Sequence, residues 1–188
     1  MTIKIGINGF GRMGRLSMRV AYEWDDVEIN DPAGNAETLA HLLNFDSVHG
    51  IWQHQAHGVD QSIVINDHVI ACSQNKNISD TDWSDCDVVI EASGVMKTKA
   101  LLQAYLEQGV KRVVVTAPVK EEGILNIVMG VNDDQYDANN HQIVTAASCT
   151  TNCLAPVVKV IHENIGIKHG SMTTIHDITN TQTILDAP

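Results

Sequence analysis

Ile3-Lys4-Ile5-Gly6-Ile7-Asn8-Gly9-Phe10-Gly11-Arg12-Met13-Gly14 decides the fold of this chain. The isoleucines alternate with Lys4, Gly6 and Asn8, the period of a strand. The glycines then fall at Gly9, Gly11 and Gly14. Beyond them an amphipathic helix is predicted, with Met13, Leu16, Val20 and Trp24 near one face. Glycine in this spacing permits a tight turn and lets the backbone approach a pyrophosphate. The N–H groups at the helix start, near Arg12 and Met13, would face the phosphates. The bland reading is an ordinary glycine-rich turn. The strand before it and the helix after it favour a dinucleotide site.

Working outward, a second strand over 27–30 ends at Asp31-Pro32. An acid there is the natural partner of a ribose, and it favours NAD because a carboxylate repels the extra phosphate of NADP. Pro32, Gly34 and Asn35 make a loop. Residues 36–44 read as a helix carrying Leu39, Leu42 and Leu43. Residues 62–65 and 68–71 flank Asn66-Asp67 as a hairpin. Residues 87–92 read as an apolar strand covered on both faces. A helix over 98–108 ends at Gly109, and strands are expected over 112–116, 127–129 and 142–146. Strands alternating with helices argue for an α/β Rossmann-type fold, a doubly wound parallel sheet spanning 1–148. A different composition begins at Cys149. Residues 151–164 read as a helix with Pro156 in its first turn, and 170–176 as a strand. One helix and one strand cannot make a core, so 149–188 is expected to be the incomplete start of a second, α+β unit.

Composition narrows the function. Of 188 residues 44% are hydrophobic, enough for a core, and the net charge is −11 with only 12 basic residues. That balance argues against nucleic-acid binding. Apolar runs are strand-length, so no membrane span is expected. The N-terminus carries no apolar signal core, which points to a cytoplasmic protein. Cys72, Cys86, Cys149 and Cys153 are too irregular for a disulfide scaffold or a zinc pattern. His54 and His57 stand three apart without further ligands and read as solvated surface residues, so no metal is expected.

The run Ala147-Ser148-Cys149-Thr150-Thr151-Asn152-Cys153 sets a cysteine among hydroxyls, directly after a strand and at a helix start. A helix N-terminus and a nearby imidazole both favour thiolate. Out of context, a lone cysteine is usually inert packing. His176 follows at the end of the last predicted strand, ahead of Thr179-Asn180-Thr181-Gln182. Together with the glycine fingerprint and Asn44-Phe45-Asp46-Ser47-Val48-His49-Gly50, these stretches resemble phosphorylating glyceraldehyde-3-phosphate dehydrogenases. The resemblance runs over essentially the whole chain, which stops a little past the middle of that family's usual subunit.

The resemblance implies a set of roles. Cys149 is the nucleophile and His176 the residue that activates it and moves its proton. Asn8, Gly9, Phe10, Gly11, Arg12, Met13, Gly14, Asp31, Ser93, Gly94, Thr116 and Pro188 match cofactor-binding positions for NAD. Ser148, Thr150, Thr179 and Thr181 match hydroxyls that bind the substrate phosphate and inorganic phosphate. Glyceraldehyde 3-phosphate and phosphate would be the substrates, as in glycolysis, and the family assembles as a homotetramer. Ala146, where many members have asparagine, and the runs after Asp31 and His176 resemble the arsenic-resistance branch, which implies arsenate as an alternative acceptor. A related enzyme of erythrose 4-phosphate is a further alternative. So is a non-catalytic, NAD-binding fragment, because the family's remaining catalytic sheet lies beyond Pro188 and little turnover is expected without it. The passage from the first helix to Asp31 is also about three residues short of the family pattern, roughly 10 Å of strand. Either Asp31 is displaced or the first helix is shortened.

Overall fold

The computed structural model describes residues 2–23 and 26–176. β1 (Lys4–Asn8) leads through the glycines into α1 (Arg12–Ala21), and β2 (Asp26–Asn30) returns beside β1. α2 (Ala36–Asn44) begins at Asn35, whose side chain accepts from the Thr38 N–H at 2.9 Å and caps the first turn. A short ribbon of β3 (Phe45–Asp46) and β4 (Gly50–Ile51) precedes a meander of β5 (Ala56–Val59), β6 (Ser62–Ile65) and β7 (His68–Ser73). Then come β8 (Val88–Glu91), α3 (Lys99–Glu107), β9 (Arg112–Val115), β10 (Leu125–Asn126), β11 (Ile143–Thr145) and α4 (Cys149–Asn164).

Among the described residues the main sheet runs β10-β11-β9-β8-β1-β2-β7-β6-β5. It is parallel from β10 to β7 and antiparallel across β7, β6 and β5. The α/β doubly wound reading therefore holds, with a meander at one edge. From β1 the chain steps one way to β2 and later the other way to β8. The loops leaving the C-terminal ends of β1 and β8 part there, which opens the crevice where such sheets bind ligands.

Two clusters carry the core. Ile7, Phe10, Met18, Ile29, Leu39, Leu43, Ile63 and Ile65 form one, and Trp83, Val89, Leu102, Tyr105, Val113 and Val115 the other. Each fully buried Leu or Ile contributes about 1.5–3 kcal/mol. In β8 only Val89 and Glu91 are buried and Val88 and Ile90 are half-buried, so the expected covering of both faces is partial.

Several expectations are corrected. The buried face of α1 is Gly14, Arg15, Met18 and Ala21; Met13 and Val20 are exposed, and Trp24 lies outside the described residues. Arg15 reads as polar, yet it is buried because its guanidinium meets the equally buried Asp46 at 3.3 Å. The strand expected over 127–129 falls at Leu125–Asn126, where Asn126 aligns with Thr145 of β11. α4 starts at Cys149, so Pro156 lies inside the helix and not in its first turn. Residues 170–176 form no strand, since no described strand lies alongside to pair with them. His54 is half-buried against Tyr22 and Trp52, at ring separations of 5.0 and 4.9 Å, and is not a solvated histidine.

Candidate functional site

The crevice is built from backbone. Gly9 has φ +92°, and a Cβ there would sit 2.3 Å from the Ser93 nitrogen. Its N–H donates to the Asn30 carbonyl at 2.8 Å. A Cβ on Gly14 would sit 2.0 Å from the Gly9 carbonyl oxygen, so α1 packs directly on the loop. No side chain caps the start of α1 at Gly11. First-turn amides of a helix have no intrahelical acceptors and present partial positive charge to an anion.

Asp31 stands immediately after β2, and is buried. One carboxylate oxygen accepts from the Phe10 N–H at 2.5 Å and the other from the Ala33 N–H at 2.8 Å. The short passage between α1 and β2 thus leaves Asp31 on the glycine loop. The open backbone around Gly9 and Gly14 together with this acid fits a dinucleotide. The side chains of other candidates turn elsewhere. Phe10 belongs to the core, Arg12 reaches Asp46 and Ser47, and Asn8 is spent inside the fold. Met13 is exposed. Gly94, at φ +75°, and Ser93 form the opposite wall of the crevice, and the Thr116 N–H donates to the Glu91 carbonyl at 2.9 Å.

Behind the crevice lies a polar network that sequence reading missed. The Glu91 carboxylate, 1% exposed, accepts from Asn8, Tyr105 and Ser93. Asn30 links Asn8 to Ser73 and Asn75. Burial, then the neighbouring Glu91 charge, pushes the Tyr105 phenol above its ordinary range, so it remains a donor. The available signal was a glutamate at the end of an otherwise apolar strand.

The second part of the site begins where β11 ends. Thr145 aligns with Val115, so Thr116 and the 146–148 turn leave the same sheet edge. Ala147 adopts φ +56°, a left-handed turn, and its N–H donates to the Thr145 hydroxyl at 3.0 Å. Ser148 caps α4 by accepting from the Thr151 N–H at 3.1 Å, and its hydroxyl lies 3.1 Å from that of Thr150. Cys149 is exposed as the first residue of α4. It lines an open groove of about 510 Å³ with Thr150, Cys153, Leu154, Val157 and the stretch from Met172 to His176. Cys149 and His176 therefore share one groove, although no hydrogen bond joins them. Thr179, Thr181 and Pro188 lie outside the described residues. No residue of α4 is buried. Lys159 ties it to the sheet domain, donating to the carbonyls of Gly130 and Val131 at 3.0 and 3.2 Å.

Comparison with known proteins agrees with this geometry. Residues 3–99 match the family model described as glyceraldehyde 3-phosphate dehydrogenase, NAD binding domain. Residues 148–188 match that of the C-terminal domain of the same enzyme. Glyceraldehyde-3-phosphate dehydrogenase 3 of a Nostoc species is 53% identical over 193 residues, covering 100% of this chain and 57% of the relative. Glyceraldehyde-3-phosphate dehydrogenase 1 of Bacillus cereus is 47% identical over 190 residues, covering 98% and 56%. The Geobacillus stearothermophilus enzyme is 44% identical, covering 100% and 57%. The chain thus spans a little over half the length of these relatives.

Proposed function

This chain belongs to the glyceraldehyde-3-phosphate dehydrogenase family, and from that premise we propose that it carries the NAD crevice and the nucleophile of an oxidative phosphorylation of glyceraldehyde 3-phosphate. The observation that supports this most is the pairing of the two parts: a glycine-lined crevice closed by Asp31, and an exposed Cys149 at a helix N-terminus.

The Gly9–Gly14 loop and α1 would hold the pyrophosphate, and Asp31 the ribose, which selects NAD over NADP. When bound, NAD supplies a hydride acceptor. The Cys149 thiolate attacks the aldehyde carbon, and the new C–S bond gives a hemithioacetal. His176 takes the hydroxyl proton as the carbon is oxidised to a thioester. Phosphate then attacks that carbon, the C–S bond breaks, and Cys149 is regenerated as an acyl phosphate leaves. Ser148, Thr150, Thr179 and Thr181 would position the two phosphate groups. Arsenate, of similar shape and charge, could take the acceptor's place as in arsenic resistance, and erythrose 4-phosphate that of the aldehyde. The reaction would run in the cytoplasm, in a homotetramer.

A second reading is favoured by one observation. The groove is open and α4 has no buried residue, so Cys149 and His176 are not held at bonding distance. Positioning supplies much of a catalytic effect. The 188-residue chain by itself is therefore proposed to bind NAD with little or no turnover. The test is thermal unfolding with NAD and with NADP, followed by turnover with phosphate and with arsenate. A midpoint raised by NAD more than by NADP is expected. No shift with NAD would overturn the cofactor reading, and vigorous turnover would overturn the non-catalytic one.

A further inference from the structure

The buried carboxylate of Glu91 has no role in the chemistry above, yet it sits at the junction of every loop that forms the crevice. One oxygen accepts from Asn8 Nδ2 at 2.8 Å and from the Tyr105 hydroxyl at 2.5 Å. The other accepts from the Ser93 N–H at 2.8 Å and the Ser93 hydroxyl at 2.5 Å. Four donors converge on one group, the full acceptor capacity of an ionised carboxylate. Asn8 Oδ1 in turn accepts from Asn30 at 2.8 Å, and Asn30 Oδ1 accepts from Ser73 and from the Asn75 N–H, each at 2.8 Å. The chain of side chains thus crosses the C-terminal ends of β8, β1, β2 and β7. Glycine loop, Asp31 loop and Ser93 wall all leave from those ends.

We propose that Glu91 is a positioning residue for NAD: its double grip on Ser93 holds the 93–94 wall at contact distance from Gly9 and so sets the width of the crevice. The geometry leaves little slack, because any Cβ on Gly9 would already overlap the Ser93 backbone. A carboxylate suits this place because every group facing it is a donor. An amide there would turn an N–H toward another N–H or hydroxyl, and the wall would move.

This inference rests on the NAD reading, and the experiment separates the two. NAD affinity of the full chain is measured by calorimetry for wild type, Glu91→Gln, Ser93→Ala and the double variant. Amide hydrogen exchange is followed on the nucleotide-free proteins. Wild type that fails to bind NAD overturns the NAD reading and this inference with it. With wild type binding, Glu91→Gln is expected to weaken NAD at least tenfold. Its amides at 93–95 should exchange faster while those of β9 stay protected. The double variant should be within twofold of Glu91→Gln, because both changes break one contact. Affinity within twofold of wild type in folded Glu91→Gln overturns the inference and leaves the NAD reading intact. Additive losses overturn it too, since Ser93 would then act on NAD independently. Should Glu91→Gln not fold, Glu91→Asp keeps the charge and shortens the reach. It is expected to weaken NAD at least threefold, and unchanged affinity would overturn the proposal.

Discussion

Replacing Asp46 with Asn tests whether the buried charge cluster under α1 stabilises this fold. Burial by itself would raise the Asp46 carboxyl; the amides of His49 and Val48, with Arg12 and Arg15, outweigh it and hold the group at about 2, against an ordinary 3.8. A folded-state value below the unfolded one contributes stability that is complete above the unfolded value and fades as pH falls through the folded one. The step from 3.8 to about 2 corresponds to about 2.4 kcal/mol at pH 7. By the same linkage about 1.3 kcal/mol of this survives at pH 3. Asn keeps an oxygen for the two amides, so the variant isolates the charge. Removing one partner of a buried pair costs about 3–5 kcal/mol where nothing compensates, which sets an upper bound. Urea unfolding of wild type and Asp46→Asn at pH 7, 4 and 3 reads the difference, provided the slope with urea is unchanged. A penalty of about 2.5–4 kcal/mol at pH 7 that roughly halves by pH 3 is expected. A penalty below about 1 kcal/mol, the range of an exposed pair, or one that is flat with pH, would refute the reasoning.

Gly9→Ala should cost at least about 1–2 kcal/mol from its backbone conformation alone and abolish the rise in melting midpoint caused by NAD; a retained rise would mean the loop tolerates a Cβ. In native alkylation followed by mass spectrometry, Cys149 and Cys153 should label before Cys72 and Cys86. Burial pushes the Cys72 thiol up to about 11 and pushes Cys86 up as well, and buried thiols are slow to react. Equal labelling of Cys86 would show that the sheet domain opens readily. Ala147→Gly should stabilise the chain by about 0.5–1 kcal/mol in urea unfolding, because it relieves a left-handed non-glycine residue; a loss would show that the turn depends on the methyl group, which is buried.

The glycine fingerprint and the β1–β8 alternation were legible because their periodicity and spacing are local. α2 was read at its observed bounds, with Asn35 as its cap. The face of α1 was misjudged because a buried Arg15 breaks the apolar stripe, and its partner Asp46 lies far along the chain. β5 went unnoticed because Ala56-His57-Gly58-Val59 has little strand character of its own. Gly58 is there because the backbone of α2 crosses it, and a Cβ would sit 2.3 Å from Glu37. The 170–176 stretch has strand composition, but pairing needs a neighbour that composition does not supply. Cys149 and His176 were found through their motif, whereas the groove they share depends on tertiary placement. The Glu91 network was missed for a similar reason: one acidic residue in a strand signals nothing until Asn8 and Tyr105 are seen to converge on it.

The turn before α4 has a mechanical consequence. Thr145 holds Asn126 at 2.7 Å, its hydroxyl receives the Ala147 N–H, and Asn152 reaches back to the Ala146 carbonyl at 2.7 Å. The reactive sulfur is thus mounted on the rim of the sheet, while the helix behind it has no buried residue. The second unit can rock, or be rebuilt, without carrying the sulfur away from the crevice. Registration between thiol and nucleotide is a property of the first domain's frame, and what docks on α4 governs only how the groove around the thiol closes.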